Sequence, residues 1–202
     1  MQEENMSRNF LGGLVGGIIL FLWGFLAWVV LPVHTSSMRT IQNEDAVIDA
    51  LRQSITVKGM YFFPGMPHAD GAPSPEAEKA WTEKYQRGPT GMIMYDPQGT
   101  NPMMPMQMVT GIILNILSAL IVAWFLSRST AVASSYIARV AYCGMFGVFL
   151  MLASQLLSWN WFHEPNDWVT GLIIDDLVAW LLAGLGIAAL VKKSAGASSA
   201  PA

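Results

Sequence analysis

Four stretches of the chain stay apolar for the depth of a bilayer, and one long polar stretch separates the first from the second. The apolar runs are 10–32, 108–126, 137–158 and 168–191. Each has about the number of residues that carries a helix across some 30 Å of hydrocarbon. Segments 127–136 and 159–167 are short connections, whereas 33–107 is far too long for one. The pattern predicts an all-α integral membrane protein with four transmembrane helices. A small α+β lobe at 33–107 is inserted between helices 1 and 2.

The lobe has its own punctuation. Asn43 stands where it can cap a short helix through Ser54, with Val47, Ile48 and Leu51 on one face. Residues 58–63 are aromatic and strand-like, and Gly65, Pro67, Gly71 and Pro73 mark a loop. Ser74-Pro75-Glu76 is a helix start, and Gly88-Pro89 is a stop. A second strand-like run, 91–95, ends at Asp96-Pro97. Two strands and two short helices make a thin core. The lobe is therefore expected to lean on helix ends, on another subunit, or on both.

Basic residues orient the spans. Arg8 precedes the first, Arg128 and Arg139 flank the 127–136 connection, and Lys192 and Lys193 follow the fourth. The 159–167 loop has no Lys or Arg but carries Glu164 and Asp167. The positive-inside rule then makes 1–9, 127–136 and 192–202 cytoplasmic, so both termini are inside. It leaves 33–107 and 159–167 extracytoplasmic, with Trp159, Trp161 and Trp168 at the outer interface. The first span follows Glu3 and Glu4 instead of a basic leader, so it reads as a retained anchor. The location expected is the plasma (inner) membrane of a bacterium. The tail at 192–202 reads as disordered.

Composition narrows the function classes. The chain is 53% hydrophobic and 12% charged, about half the charge of an ordinary soluble domain. A net charge of −3 gives no ground for nucleic acid as a partner. The single Cys143 cannot form an intrachain disulfide. No nucleophile motif, phosphate loop, dinucleotide fingerprint or CxxC pair occurs. The chain is therefore read as non-enzymatic and without a cofactor.

The sharpest anomaly is Asp175-Asp176 within the fourth span. One aspartate at mid-membrane costs about 2.5–3.5 kcal/mol on insertion scales, and two adjacent carboxylates do not both ionise easily there. Gly171, Asp175, Ala179 and Ala183 share one helix face, which points Asp175 at protein. Asp176 lies on the flank with Trp180, whose indole is placed to reach it. Asn115 and Gln155 sit at similar depth in spans two and three. Together with the two aspartates they form the predicted intramembrane polar cluster.

Other signals concern packing and metals. Gly12, Gly13, Gly16 and Gly17 form overlapping small-xxx-small pairs in the first span. Gly184 and Gly186 lie at matching depth in the fourth, which suggests close contact of the two spans or a homodimer. Met103, Met104, Met106 and Met108 offer thioethers of the kind that select Cu(I). His34, His163 and Glu164 are a weaker candidate metal set.

Two function classes follow. The first is an accessory or scaffold subunit of a larger membrane complex, contacting partners through glycine faces and the lobe. The second is a small transport or proton/cation-relay component centred on Asp175 and Asp176. Extracytoplasmic Cu(I) handling by 103–108 is a lesser alternative. Lipid, and other membrane subunits or further copies of the chain, are the expected partners.

Overall fold

A computed structural model gives the architecture and describes residues 2–65, 67, 71–102 and 105–192. Met103, Met104 and the tail at 193–202 lie outside the described residues. Among the described residues, four helices are long and apolar enough to cross a membrane. They run over Glu3–Val30, Pro105–Arg128, Tyr136–Phe162 and Asn166–Leu190. The protein is thus a mostly helical membrane protein. The chain divides into two compact units, the helical unit at 1–39 with 104–202, and the lobe at 40–103.

In the helical unit, α1 (Gln2–Phe25) continues into a π-helical turn, Leu26–Val30. After the lobe come α4 (Pro105–Arg128) and a short 3₁₀ turn, Thr130–Ala133. Then follow α5 (Tyr136–Leu150), a second π turn (Met151–Gln155), α6 (Leu156–Phe162) and α7 (Asn166–Leu190). Helix α1 packs on both α4 and α7, and α7 also packs on α5, while α4 and α5 touch sparingly. The order is therefore α4, α1, α7, α5.

Small side chains set that order. Lipid is as apolar as leucine, so helices in a membrane gain by close contact and not by hiding greasy surface. Ala119, Ala123, Ala183 and Ala188 are fully buried between helices, while Leu22, Ile113, Phe149 and Leu181 face outward. The two glycine pairs of α1 serve different neighbours. A Cβ on Gly12 or Gly16 would meet Val191 or Ile187 beside α7, whereas one on Gly13 or Gly17 would meet Leu120 or Ile116 of α4. These faces are thus occupied within the chain. Gly186 lies against Val15 and Ile19 of α1, but Gly184 backs onto Val140 and Cys143 of α5.

Two arginines close the C-terminal end of α7. Arg139, itself buried, donates through Nε and Nη2 to Ala188 O at 3.1 and 3.0 Å, and Arg8 Nε donates to Leu190 O at 3.2 Å. Both satisfy carbonyls that the helix leaves without partners and oppose the negative end of its dipole.

In the lobe, α2 (Glu44–Ser54), β1 (Gly59–Phe63), α3 (Pro75–Arg87) and β2 (Gly91–Tyr95) follow one another. The strands pair antiparallel, with Met60 opposite Met94 and Phe62 opposite Met92. Ser74 caps α3 through Ala77 N, and Gly88 ends it at φ +67. Asn43 differs from expectation. It adopts the left-handed region and its side chain caps nothing, because that backbone setting turns the side chain away from the first-turn amides. Neither α2 nor α3 has a buried residue. Lys58 bonds Asp96 at 2.7 Å beside the strand ends and holds its carboxyl below the usual range.

The glycine contacts yield a direct test. On Gly17 an added methyl would fall on the Ile116 backbone, whereas Gly24 has nothing within 4 Å. Gly17→Ala should cost about 1–3 kcal/mol through overpacking, read as a lower thermal midpoint in detergent. Gly24→Ala should be neutral or slightly stabilising. Equal midpoints for the two variants would refute the assigned α1–α4 contact.

Candidate functional site

Asp175 and Asp176 stand nine and ten residues into α7, roughly 14 Å along its axis at 1.5 Å per residue. Their partners come from different parts of the chain. Trp23 Nε1 of α1 donates to Asp175 Oδ1 at 2.6 Å. His34 Nε2 lies 3.0 Å from Asp175 Oδ2. Gln155 Nε2 donates to Asp176 Oδ2 at 2.9 Å. Every polar bond here links elements remote in sequence, so the carboxylates tie the bundle together at this level.

The chain reaches this geometry by folding back after the first span. Leu31 N closes the π turn on Leu26 O at 2.8 Å, and His34 O accepts from Ser37 N and Oγ in a tight turn. The segment then runs beside the start of α7, where Arg39 pairs with Asp167 at 2.7 Å. Gly171 makes room for it, since a Cβ there would stand 2.8 Å from Val33 O. His34 is thereby sealed completely, at 0% exposure. Trp28 stacks on its ring at 3.9 Å, and Trp168 meets it edge-on at 6.0 Å. With a proton on Nε2 the ring can satisfy Asp175. Nδ1 is buried and has no hydrogen-bond partner among the described residues.

Two π turns aim the other residues. In an α-helix, residues five apart lie roughly 140° apart around the axis. A π turn brings positions i and i+5 onto one face. Trp23 and Trp28, five apart across Leu26–Val30, accordingly line the same cavity. On α5, Gly147 lets the backbones of α5 and α7 meet at Asp176 and Leu177. Gln155 is eight residues later, which in a regular helix would rotate it roughly 80° off that face. The extra residue of the Met151–Gln155 turn returns it to Asp176. Wide turns of this kind recur at functional sites because they cost helix regularity.

Between the helices lies a half-open cavity of about 350 Å³. Its polar lining is Asp175, Asp176, Asn115 and Ser118, and its apolar lining includes Trp23, Trp28, Trp180, Leu20 and Leu150. No lysine or arginine is among the lining residues. Of the predicted cluster, Asp176 and Gln155 are in direct contact, and Asn115 faces the same space as both aspartates. Trp180 lines the cavity, and the partner at Asp176 is Gln155 instead of that indole.

The candidate metal residues are dispersed. His34 is committed to Asp175. His163 ends α6 in the left-handed region, and Glu164 accepts from Ser158 Oγ at 2.8 Å. Met106 and Met108 are exposed on the first turn of α4. Among the described residues no three His, Cys, Asp or Glu side chains are grouped to hold a metal ion.

Sequence reasoning missed Trp23 and His34 as the partners of Asp175. Trp23 had a signal, because its indole is the one polar hydrogen available in its part of α1. His34 had less, because its position depends on the reversal after Pro32.

The His34–Asp175 contact should register as an energetic coupling. His34→Ala and Asp175→Asn are each expected to destabilise the protein, and the double variant to lose less than their sum. The coupling should be about 1.5–3 kcal/mol for a hydrogen bond to a charged group, measured by reversible unfolding in mixed micelles. Strict additivity would mean that the two residues do not interact.

Comparison with protein-family models, with curated proteins and with solved structures finds no match for this chain.

Proposed function

We propose that the helical unit handles a proton or a monovalent cation at the Asp175–Asp176 cavity, as a small transport or relay component of a plasma membrane. The observation that carries this reading is that both carboxylates line one cavity and are answered unequally. Asp175 has two partners, His34 and Trp23, whereas among the described residues Asp176 has the amide of Gln155 alone. A carboxylate in apolar surroundings without a cationic partner is costly, and a proton or cation entering the cavity relieves that cost. Functional intramembrane acids commonly face such cavities and pair there with one another or with histidine.

The proposed orientation keeps both termini cytoplasmic and the lobe extracytoplasmic, in a bacterial inner membrane. Arg8 and Arg139 at the C-terminal end of α7, and Trp159, Trp161 and Trp168 around its N-terminal end, support it. The cavity then lies in the outer half of the bilayer.

The test is flux. In vesicles carrying a pH gradient, the native chain should collapse the gradient faster than empty vesicles. Asp175→Asn/Asp176→Asn should return the rate to background while the protein stays folded. A native rate equal to that of empty vesicles would remove the proposal.

A second reading, an accessory subunit of a membrane complex, is favoured by the lobe. Its sheet exposes Met60, Met92 and Met94 on one face, the last at 81%. An uncovered apolar face of this kind marks an interaction surface. The glycine faces of α1 are engaged inside the chain, so partners would bind the lobe or the outer helix surfaces. Purification in mild detergent should then yield a stoichiometric partner or a defined oligomer. A monodisperse monomer would count against this reading.

A further inference from the structure

The cavity is larger and more aromatic than a proton site requires. At about 350 Å³ it has room for roughly twelve waters at about 30 Å³ each. It also falls within the lower range of small-molecule pockets, about 300–1,000 Å³. A bare ion would touch only a small part of its walls, and no set of three metal-binding side chains exists among the described residues.

The walls specify a different kind of cation. Three indoles, Trp23, Trp28 and Trp180, share the lining with Asp175, Asp176 and Asn115. Tryptophan is the strongest aromatic partner for cations, and aromatic walls beside a carboxylate are the usual means of recognising alkylammonium groups. Asp176, with its neutral partner, is where the charge is wanted. Asn115 adds an amide oxygen able to accept from an ammonium N–H.

We propose that the cavity binds a monovalent organic ammonium ion with an apolar body of about ring size. The ammonium is set at Asp176 and the body against the indoles. This rests on the cation-handling reading of the same site and narrows its ligand class.

The experiment uses the full chain in lipid nanodiscs, with binding followed by calorimetry and tryptophan fluorescence. The probes are phenethylammonium, its neutral counterpart 2-phenylethanol, and sodium chloride. Phenethylammonium should bind saturably, and 2-phenylethanol at least tenfold more weakly. Sodium ion should not compete at matched ionic strength. Asp176→Asn should abolish the preference for the charged probe, whereas Asp96→Asn in the lobe should leave it intact. The comparison of probes on the native protein decides the matter even if Asp176→Asn fails to fold. Equal binding of the two phenethyl compounds, or no saturable binding of phenethylammonium, would overturn the inference. Aspartate-dependent proton flux without phenethylammonium binding would overturn it alone and leave the broader reading standing. Absence of both would remove both.

Discussion

A carboxylate within an apolar helix is costly unless hydrogen-bond donors, a proton or a cation compensate it. The helical unit is organised around that constraint. Two aspartates on α7 draw hydrogen-bond partners from α1, from the π turn after α5 and from the segment that follows α1. Donors cannot arrive unless backbones come close, so glycines lie where the partners approach. Gly171 admits the segment bearing His34, and Gly147 admits α5 beside Asp176. The polar contacts and the small-residue contacts are thus two parts of one arrangement.

The spans, the polar positions and the lobe elements were legible in the sequence because each depends on local pattern. Hydropathy marks a membrane helix, and Ser-Pro-Glu or Gly-Pro marks where a helix starts or stops. Asp175, Asp176, Asn115 and Gln155 stood out because polar groups are rare in such spans. The partner of Asp175 was not legible. Its choice depends on the path of residues 31–39, which return along α7 instead of leaving with the lobe. The rotation of Gln155 and the shared face of Trp23 and Trp28 also escaped periodicity, since each depends on a π turn that no spacing rule announces. Asn43 shows a similar limit at short range. Its residue type suited a cap, but its backbone took the left-handed region that asparagine also tolerates.

The glycines of α1 illustrate how one signal divides when it becomes structure. Two overlapping pairs appear as one motif in sequence. On the helix they point in directions roughly 100° apart, and α4 and α7 each take one. A single face would have allowed one neighbour, whereas adjacent glycines let one helix hold two.

Arg8 and Arg139 grip the last carbonyls of α7, while Arg39 and His34 hold its first half from the side. Pinned near both ends by residues from other elements, α7 is the fixed post of the bundle. Helices α4 and α5, which scarcely touch each other, flank the cavity on opposite sides. The seam between those two helices is therefore closed mainly by their contacts with α1 and α7, not by contacts with each other.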